Sequence, residues 1–258
     1  MWQIILTLKK QLSMVGLQAE ACNKMFRYDP SGQEVVTEEM VDECTHDGIL
    51  HVKWPSNYII NKIHLGDTLM MYALAAHYKH IVFHWMHDDP GNSVMHRLYP
   101  MFSHACTIEN VYNSKEAKTP ASAARWMWQL GIDFPEPRLN EDFINDKPFV
   151  TTQFRARAPG RSIKPEDQKP LLDMIPEDYD VIDLSDNKDS LEQLFSLVRA
   201  AEYHMGCNSG ITWVASCVRT PVKTLITKTN FPNNLCEFAV LMDRHPNVEI
   251  VRDDLIGG

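Results

Sequence analysis

The stretch that decides the fold is residues 191–227, which read LEQLFSLVRAAEYHMGCNSGITWVASCVRTPVKTLIT. Its first part places apolar residues at helical spacing behind a possible cap at Asp189 or Ser190. Tyr203–Met205 is short enough to be one buried strand, and a second helix is predicted over about 211–218. A last apolar run after Thr-Pro predicts another strand, so helices and strands alternate as they do in α/β proteins.

The turn Asn208-Ser209-Gly210 lies between the predicted strand and the second helix. Backbone N–H groups and the positive end of the helix dipole favour an anion at such a position. Ser209 and Thr212 can add hydroxyl donors, and Gly210 lets a phosphate approach the backbone closely. The same residues also fit an ordinary strand–turn–helix connection, because small residues cap most helices.

The composition is sufficient for one large core or two small domains. The chain has 258 residues, 44% of them hydrophobic, and a formal net charge of −9. This charge gives no global basic field for nucleic acid or acidic membranes, although a local basic groove is compatible with it. The six cysteines form no CxxC pair, which disfavours a disulfide scaffold and a zinc ribbon. No apolar run reaches the roughly 18–20 residues that span a bilayer, so we expect a cytoplasmic protein without integral membrane contact.

The first half of the chain contains one clear strand–helix–strand unit. Tyr58–Leu65 predicts a buried strand, Leu69–Tyr78 a helix and His80–Trp85 the next strand. The right-handed crossover of such a unit implies a parallel sheet. Residues 1–55 remain without an assigned role. Further elements are predicted downstream, namely a helix at 92–101, a strand at 106–111 and a helix at 121–130.

The second half repeats this alternation after an irregular segment. Two prolines and the polar run Asn140–Lys147 indicate a linker. The chain resumes with a strand at 149–154, a helix at 166–175 and a strand at 179–184, followed by the stretch quoted above. The sequence therefore predicts an α/β protein of two halves, with ligand at the strand ends that face a crevice between them.

In its details, the stretch 191–227 resembles the donor-binding end of bacterial heptosyltransferases, glycosyltransferase family 9. The pattern of that family is roughly Asp-Ser-Gly, two residues, His-Leu-Ala, then Gly-x-Pro and an apolar strand. The positions that match here are Ser209, Gly210, Ala215 and Pro221. The positions that depart are Asn208 for Asp, Trp213 for His, and Arg219-Thr220 for the usual Gly-Thr or similar pair.

The resemblance implies a GT-B-like fold, in which two Rossmann-like parallel-sheet halves enclose a crevice, here in a compact version. Residues 1–140 would form the N-terminal, acceptor-side domain, in which 1–55 are unclear. Residues 141–258 would form the C-terminal domain that binds the donor nucleotide. The partner implied is a nucleotide-sugar, which is a co-substrate and not a cofactor.

The segment Leu65-Gly66-Asp67-Thr68-Leu69 follows the first clear strand and has two interpretations. By its spacing, Asp67 can be a helix N-cap. As a carboxylate at a strand end, it can instead take a proton from an acceptor hydroxyl. The family has its Gly-Asp pair and its proposed base at this junction, so the resemblance implies that Asp67 is catalytic. Other candidates for the acceptor side or the crevice are His64, Gly66, Thr68, His84 and Trp213.

A basic loop follows the first strand of the second half. Its cations are Arg155, Arg157, Arg161 and Lys164. Charge-rich loops are often only solvated, but guanidinium groups also bind phosphate oxygens in a bidentate fashion. The family binds the phosphates of its donor with basic side chains at this place. The resemblance thus implies a pyrophosphate between these cations and the helix start at Asn208–Thr212, where the leaving group is stabilised without a metal ion.

Histidines are concentrated around the strand that begins at residue 80. The cluster consists of four histidines and two neighbouring carboxylates, namely His77, His80, His84, His87, Asp88 and Asp89. On a strand, His80 and His84 share one face, whereas His87 points to the other. These residues do not make a closed ligand set with a recognised zinc spacing. We therefore expect no metal ion and no cofactor.

These features predict an inverting, metal-independent glycosyltransferase. An acceptor hydroxyl deprotonated by Asp67 would attack the anomeric carbon of the donor sugar, and the nucleoside diphosphate would leave toward the basic loop. The acceptor stays open between a saccharide or lipopolysaccharide core and a modified base of viral DNA. A non-catalytic nucleotide-sugar-binding protein is the alternative of a different class, favoured by Asn208 and Trp213 and disfavoured by Asp67.

Overall fold

The computed structural model of the protein contains two compact units, which divide between Asn140 and Glu141. The residues that it describes are 42, 45–53, 65–84, 94–112, 132–156, 161–186, 189–207, 209–225 and 248–251. Within these ranges, no helix is long and apolar enough to cross a membrane. The predicted domain limits, 1–140 and 141–258, include residues outside these ranges and stay a prediction.

The N-terminal unit is built from β1 (Thr45–His46), β2 (Ile49–Lys53), α1 (Leu65–Tyr78), β3 (His80–His84), α2 (Val94–Phe102) and β4 (Thr107–Val111). Its strands lie in the order β1-β2-β3-β4. β1 and β2 form an antiparallel hairpin whose turn residues, Asp47 and Gly48, have φ angles of 53° and 75°, as an Asp-Gly hairpin turn requires. β2, β3 and β4 pair in parallel, as predicted for this half.

The start of α1 corrects one prediction. Leu65 is the first residue of the helix and not the end of a strand, and Gly66–Thr68 form the first helical turn and not a separate loop. Residues such as Asp and Thr suit both a loop and the first turn of a helix, because polar and acidic side chains are favourable at a helix N-terminus. Residues 58–64 of the predicted strand lie outside the described part of the chain. The strand described before α1 is β2, which lies in the stretch that had no assigned role.

The C-terminal unit is built from β5 (Phe149–Gln153), a 3-10 turn (Pro165–Asp167), α3 (Lys169–Leu172), β6 (Asp180–Asp183), α4 (Leu191–Ala200), β7 (Tyr203–Gly206), α5 (Gly210–Cys217), β8 (Val222–Leu225) and β9 (Val248–Val251). Its strands lie in the order β6-β5-β7-β8-β9, and every neighbouring pair is parallel. The predicted α/β class with two Rossmann-like parallel-sheet halves is confirmed.

Local sequence explains where the helices of this unit begin. Ser190 caps α4, because its hydroxyl accepts from the Gln193 N–H at 3.2 Å while the Gln193 side chain accepts from the Ser190 N–H at 3.0 Å. The helix predicted at 166–175 is wrong, since the 3-10 turn and the short α3 replace it. Pro170 has no N–H to donate, so a continuous helix through it would lose a hydrogen bond.

The strand order reverses direction beside β5. From β5 the chain goes to β6 on one side, and it then crosses to β7 on the other side. In open α/β sheets, ligands bind outside the carboxyl ends of the strands at such a switch point. The residues at these two ends, Gln153 and Gly206, lie side by side as register partners. This pair marks the switch point of the C-terminal sheet.

The two faces of β7 differ in chemistry. Met205 packs on one face within an apolar cluster that includes Ile163 and Leu171. His204 and Gly206 share the opposite face, since strand residues two positions apart point the same way. This second face meets the start of α5, where Thr212 lies 3.5 Å from the His204 ring.

Candidate functional site

The start of α5 forms one side of the candidate site. Ser209 is its N-cap, with extended φ and ψ of −139° and 168°, and its hydroxyl accepts from the Thr212 N–H at 3.5 Å. Helix geometry gives the N–H groups of Gly210 and Ile211 no acceptor within the helix. Asn208 lies outside the described residues. The start of α5 thus offers backbone donors close to the carboxyl end of β7.

The two hydroxyls expected to bind phosphate are engaged inside the protein. The Ser209 hydroxyl donates to the side-chain oxygen of Gln153, and the Thr212 hydroxyl donates to the Cys207 carbonyl at 2.5 Å. Both would have to turn away from these acceptors before they could donate to a phosphate. In the described arrangement, the backbone N–H groups and the Gln153 amide nitrogen are not engaged with these two acceptors.

Gln153 was not predicted from the sequence, yet it stands at the switch point. It is the last residue of β5, and its side chain is half-buried. The side-chain oxygen of Gln153 accepts from the Ser209 hydroxyl. The amide nitrogen, which carries two N–H donors, takes no part in that bond. A polar residue at the end of an otherwise buried strand was the available signal.

The basic loop folds back beside the carboxyl end of β7. The Ile163 N–H donates to the Phe154 carbonyl at 2.9 Å, and the Ala156 N–H donates to the Ser162 hydroxyl at 3.0 Å. The Ile163 side chain is buried in the same cluster as Cys207. These contacts tie the two ends of the loop together next to the turn that opens α5.

Arg161 is half-buried and lies two residues before Ile163, whose side chain shares a cluster with Cys207. Burial raises the pKa of the Cys207 thiol to about 12, and the charge of Arg161 is the smallest of the effects that oppose this rise. Arg155 and Lys164 are exposed, and the Lys164 ammonium lies 3.8 Å from a Glu166 carboxylate oxygen. Arg157 lies outside the described residues.

A buried histidine lies beneath the turn and was also missed by the sequence analysis. His204 is fully buried, with Nδ1 at 3.1 Å from the Thr151 hydroxyl and Nε2 at 3.5 Å from the Thr212 hydroxyl. Burial lowers its pKa to about 3, against the effect of a hydrogen bond with Thr151, so the ring is neutral. A histidine two residues before a strand glycine was the signal that could have identified it.

The acceptor-side candidates of the N-terminal unit are placed differently from their prediction. Asp67 is the third residue of α1, so its predicted position as the N-cap is wrong. Gly66 and Thr68 are buried. His64 lies outside the described residues. In the other unit, Trp213 is 2% exposed within α5. The role of these residues on the acceptor side or at a crevice stays a prediction.

The histidines of the N-terminal sheet form contacts with one another. His51 Nδ1 lies 2.9 Å from His84 Nε2, and the His46 and His51 ring centroids are 5.3 Å apart. Burial and the nearby His46 lower the pKa of His51. His80 pairs with Glu109 at 2.5 Å. Across the part of the chain that the structure describes, no three His, Cys, Asp or Glu residues are grouped so as to hold a metal ion.

Comparison with known proteins yields solved structures alone. No protein-family model and no curated protein matches the chain. The chain is similar to bacterial heptosyltransferases of known structure.

Three of these structures come from E. coli. The dodecameric iron-containing glycosyltransferase TibC has 13% identity and a TM-score of 0.44, and the match covers 69% of this chain and 57% of TibC. ADP-heptose lipopolysaccharide heptosyltransferase II has 13% identity and a TM-score of 0.41, with 80% and 90% of the two chains covered. Heptosyltransferase WaaC, solved with ADP, has 11% identity and a TM-score of 0.40, with 79% and 93% covered. The chain therefore spans less than two thirds of the length of TibC.

Proposed function

We propose that the protein is a glycosyltransferase whose C-terminal unit binds the diphosphate of a nucleotide-sugar donor. The supporting observation is the meeting of two kinds of donor at the carboxyl ends of β5 and β7. These are the N–H groups at the start of α5 and the amide of Gln153, and the loop that carries Arg161 follows β5 in the chain. Such a combination suits an anion with several oxygens, because backbone, amide and guanidinium donors can each take one or two of them.

In the proposed reaction, these groups stabilise the leaving group. A bond forms between the acceptor oxygen and the anomeric carbon, while the bond from that carbon to the diphosphate oxygen breaks. The electron pair stays on the diphosphate, where the start of α5 and Arg161 offset the new negative charge. The acceptor proton passes to Asp67, and the sugar is transferred with inversion and without a metal ion.

Two classes of acceptor supply the hydroxyl that the proposed reaction needs. A saccharide or lipopolysaccharide core and a modified base of viral DNA each provide a hydroxyl of the required kind. A non-catalytic protein that binds a nucleotide-sugar would keep the donor site but would not release the diphosphate. Turnover of the donor therefore separates the enzyme from the binding protein.

The proposal is tested with a panel of donors. The protein is incubated with uridine, guanosine and adenosine diphosphate sugars and with a cytidine monophosphate sugar, and released nucleotide is followed by chromatography. We expect slow hydrolysis of at least one diphosphate sugar, a raised melting temperature with that donor, and no loss of either effect with a divalent chelator. Absence of a thermal shift with every diphosphate donor would contradict the donor site, and a strict need for metal would contradict the metal-independent mechanism.

A matched pair of loop variants localises the effect. Arg161→Ala should weaken donor binding by about 1.5–3 kcal/mol, the usual contribution of a hydrogen bond to a charged group. Lys164→Ala should have a smaller effect, because Lys164 is exposed and already lies close to Glu166. Equal effects of the two variants would indicate that the loop acts only through its overall charge.

A further inference from the structure

His204 is a buried titratable residue that the proposed reaction does not use. It lies in the middle of β7, fully buried, between hydroxyls that come from two other elements. Thr151 belongs to β5, and Thr212 belongs to the first turn of α5. A single imidazole thus connects the sheet to the helix start at the switch point.

The hydrogen-bond directions in this group follow from its donors and acceptors. The Thr212 hydroxyl gives its proton to the Cys207 carbonyl at 2.5 Å, so toward His204 its oxygen can only accept. His204 Nε2 donates to Thr212 in the tautomer that carries its proton on Nε2. A neutral ring with the proton on Nε2 has a bare Nδ1, which accepts from the Thr151 hydroxyl at 3.1 Å. One tautomer therefore satisfies all three side chains, and its neutrality agrees with the complete burial of the ring.

Gly206 provides the room for this ring. A Cβ atom at position 206 would lie 2.5 Å from His204 Nε2, a separation that requires the ring or the backbone to move. It would also lie 3.2 Å from the Thr212 hydroxyl oxygen. The glycine thus allows Nε2 to stand next to both the end of β7 and the first turn of α5.

We propose that His204 is a positioning residue of the donor site, which holds Thr212 through its Nε2–H and so fixes the turn between β7 and α5. The Thr212 hydroxyl in turn donates to the Cys207 carbonyl, so a side chain joins the first turn of α5 to the residue that follows β7. With the turn fixed, the N–H groups at the start of α5 keep one orientation before the ligand arrives. Preorganised donors bind an anion more tightly, because less ordering remains to be done on binding. This inference rests on the proposed function.

Two conservative variants test the contact. In His204→Gln, the side-chain amide nitrogen can take the place of Nε2 and keep the hydrogen bond to Thr212. In His204→Asn, the shorter side chain places its amide nitrogen only where Nδ1 stood. We expect the Kd for adenosine or uridine diphosphate to stay within about threefold in His204→Gln and to rise about tenfold or more in His204→Asn. Titration calorimetry gives Kd, and melting temperatures of both variants show how far stability is affected. Equal Kd values for the two variants, or Kd values that simply follow the melting temperatures, would overturn the proposal.

A measurement on the unmodified protein keeps the test independent of how the variants fold. The imidazole nitrogen NMR shifts of His204 should show the neutral tautomer with the proton on Nε2, unchanged between about pH 5 and about pH 8. A proton on Nδ1 would overturn the proposal. If the unmodified protein bound no nucleoside diphosphate at all, the proposed function would fail, while the tautomer would still report whether His204 holds Thr212.

Discussion

At the scale of single residues, neutral donors and one cation make up the described donor site. Gln153 is oriented by Ser209, and the start of α5 is held by Thr212 and His204. The hydroxyl protons that the sequence suggested for phosphate go instead to the Gln153 side chain and to the Cys207 carbonyl. In the proposed function, recognition then depends on amide N–H groups and on Arg161.

The buried His204 gives the protein a predictable response to acid. Its pKa is about 3 in the folded protein, below the ordinary value of 6.5 in the unfolded chain, so between these values the unfolded chain binds a proton that the folded one does not. The unfolding free energy should therefore fall as pH falls from about 6.5 toward about 3, by up to about 1.4 kcal/mol per pH unit from this residue. Above about pH 6.5 the residue contributes no slope.

Urea unfolding across this range of pH checks the effect, with His204→Gln as the matched control. The variant keeps every other titrating group, so any slope that it lacks belongs to His204. Identical slopes in the two proteins would show that the ring is not held neutral by burial.

Neither Gln153 nor His204 was predicted, and the reason is physical. The partner of Gln153 is 56 residues away in the chain, and Thr151 is 53 residues from His204. A side chain whose role depends on such distant neighbours leaves only a weak local pattern. Ser209 and Gly210 were predicted at a helix start, because capping preferences are local.

At the scale of elements, the parts with local signals were predicted well. β7, α5 and β8 follow their predicted ranges closely, because an apolar run and a small-residue turn define each boundary. β2 was missed although its residues 50–53 alternate apolar and polar side chains, because a run of only five residues gives a weak signal. The start of α1 was misplaced because Gly66–Thr68 suit a loop and a first helical turn equally well.

The position of Asp67 within α1 changes what its variants should do. Asp67→Asn and Asp67→Ala should both reduce turnover by about 10²–10⁴-fold, the usual scale for loss of a general base. Because Asp67 is not the N-cap, Asp67→Ala should not lose the roughly 1 kcal/mol of stability that a cap provides. Rates with the true donor and acceptor, together with urea unfolding, distinguish the two roles. Full activity of Asp67→Asn would contradict the assignment of the base.

At the scale of the whole molecule, the donor features described all belong to the C-terminal unit. The predicted base belongs to the N-terminal unit, so variants in the two units should affect different steps. The chain carries a net charge of −9, yet Arg155, Arg161 and Lys164 lie within ten residues of one another in the sequence after β5. A local positive field of this kind can attract an anion in an acidic protein.

The central claim is that a diphosphate binds at the carboxyl ends of β5 and β7, and Gln153→Glu tests it most directly. A glutamate has nearly the same shape and can still accept from the Ser209 hydroxyl, but it places a negative charge where the amide donor stood. Titration calorimetry with nucleoside diphosphates should show binding to the unmodified protein and a Kd about ten- to a hundredfold higher for Gln153→Glu, with unchanged melting temperature. A Gln153→Glu variant that binds the diphosphate as tightly as the unmodified protein would contradict the account.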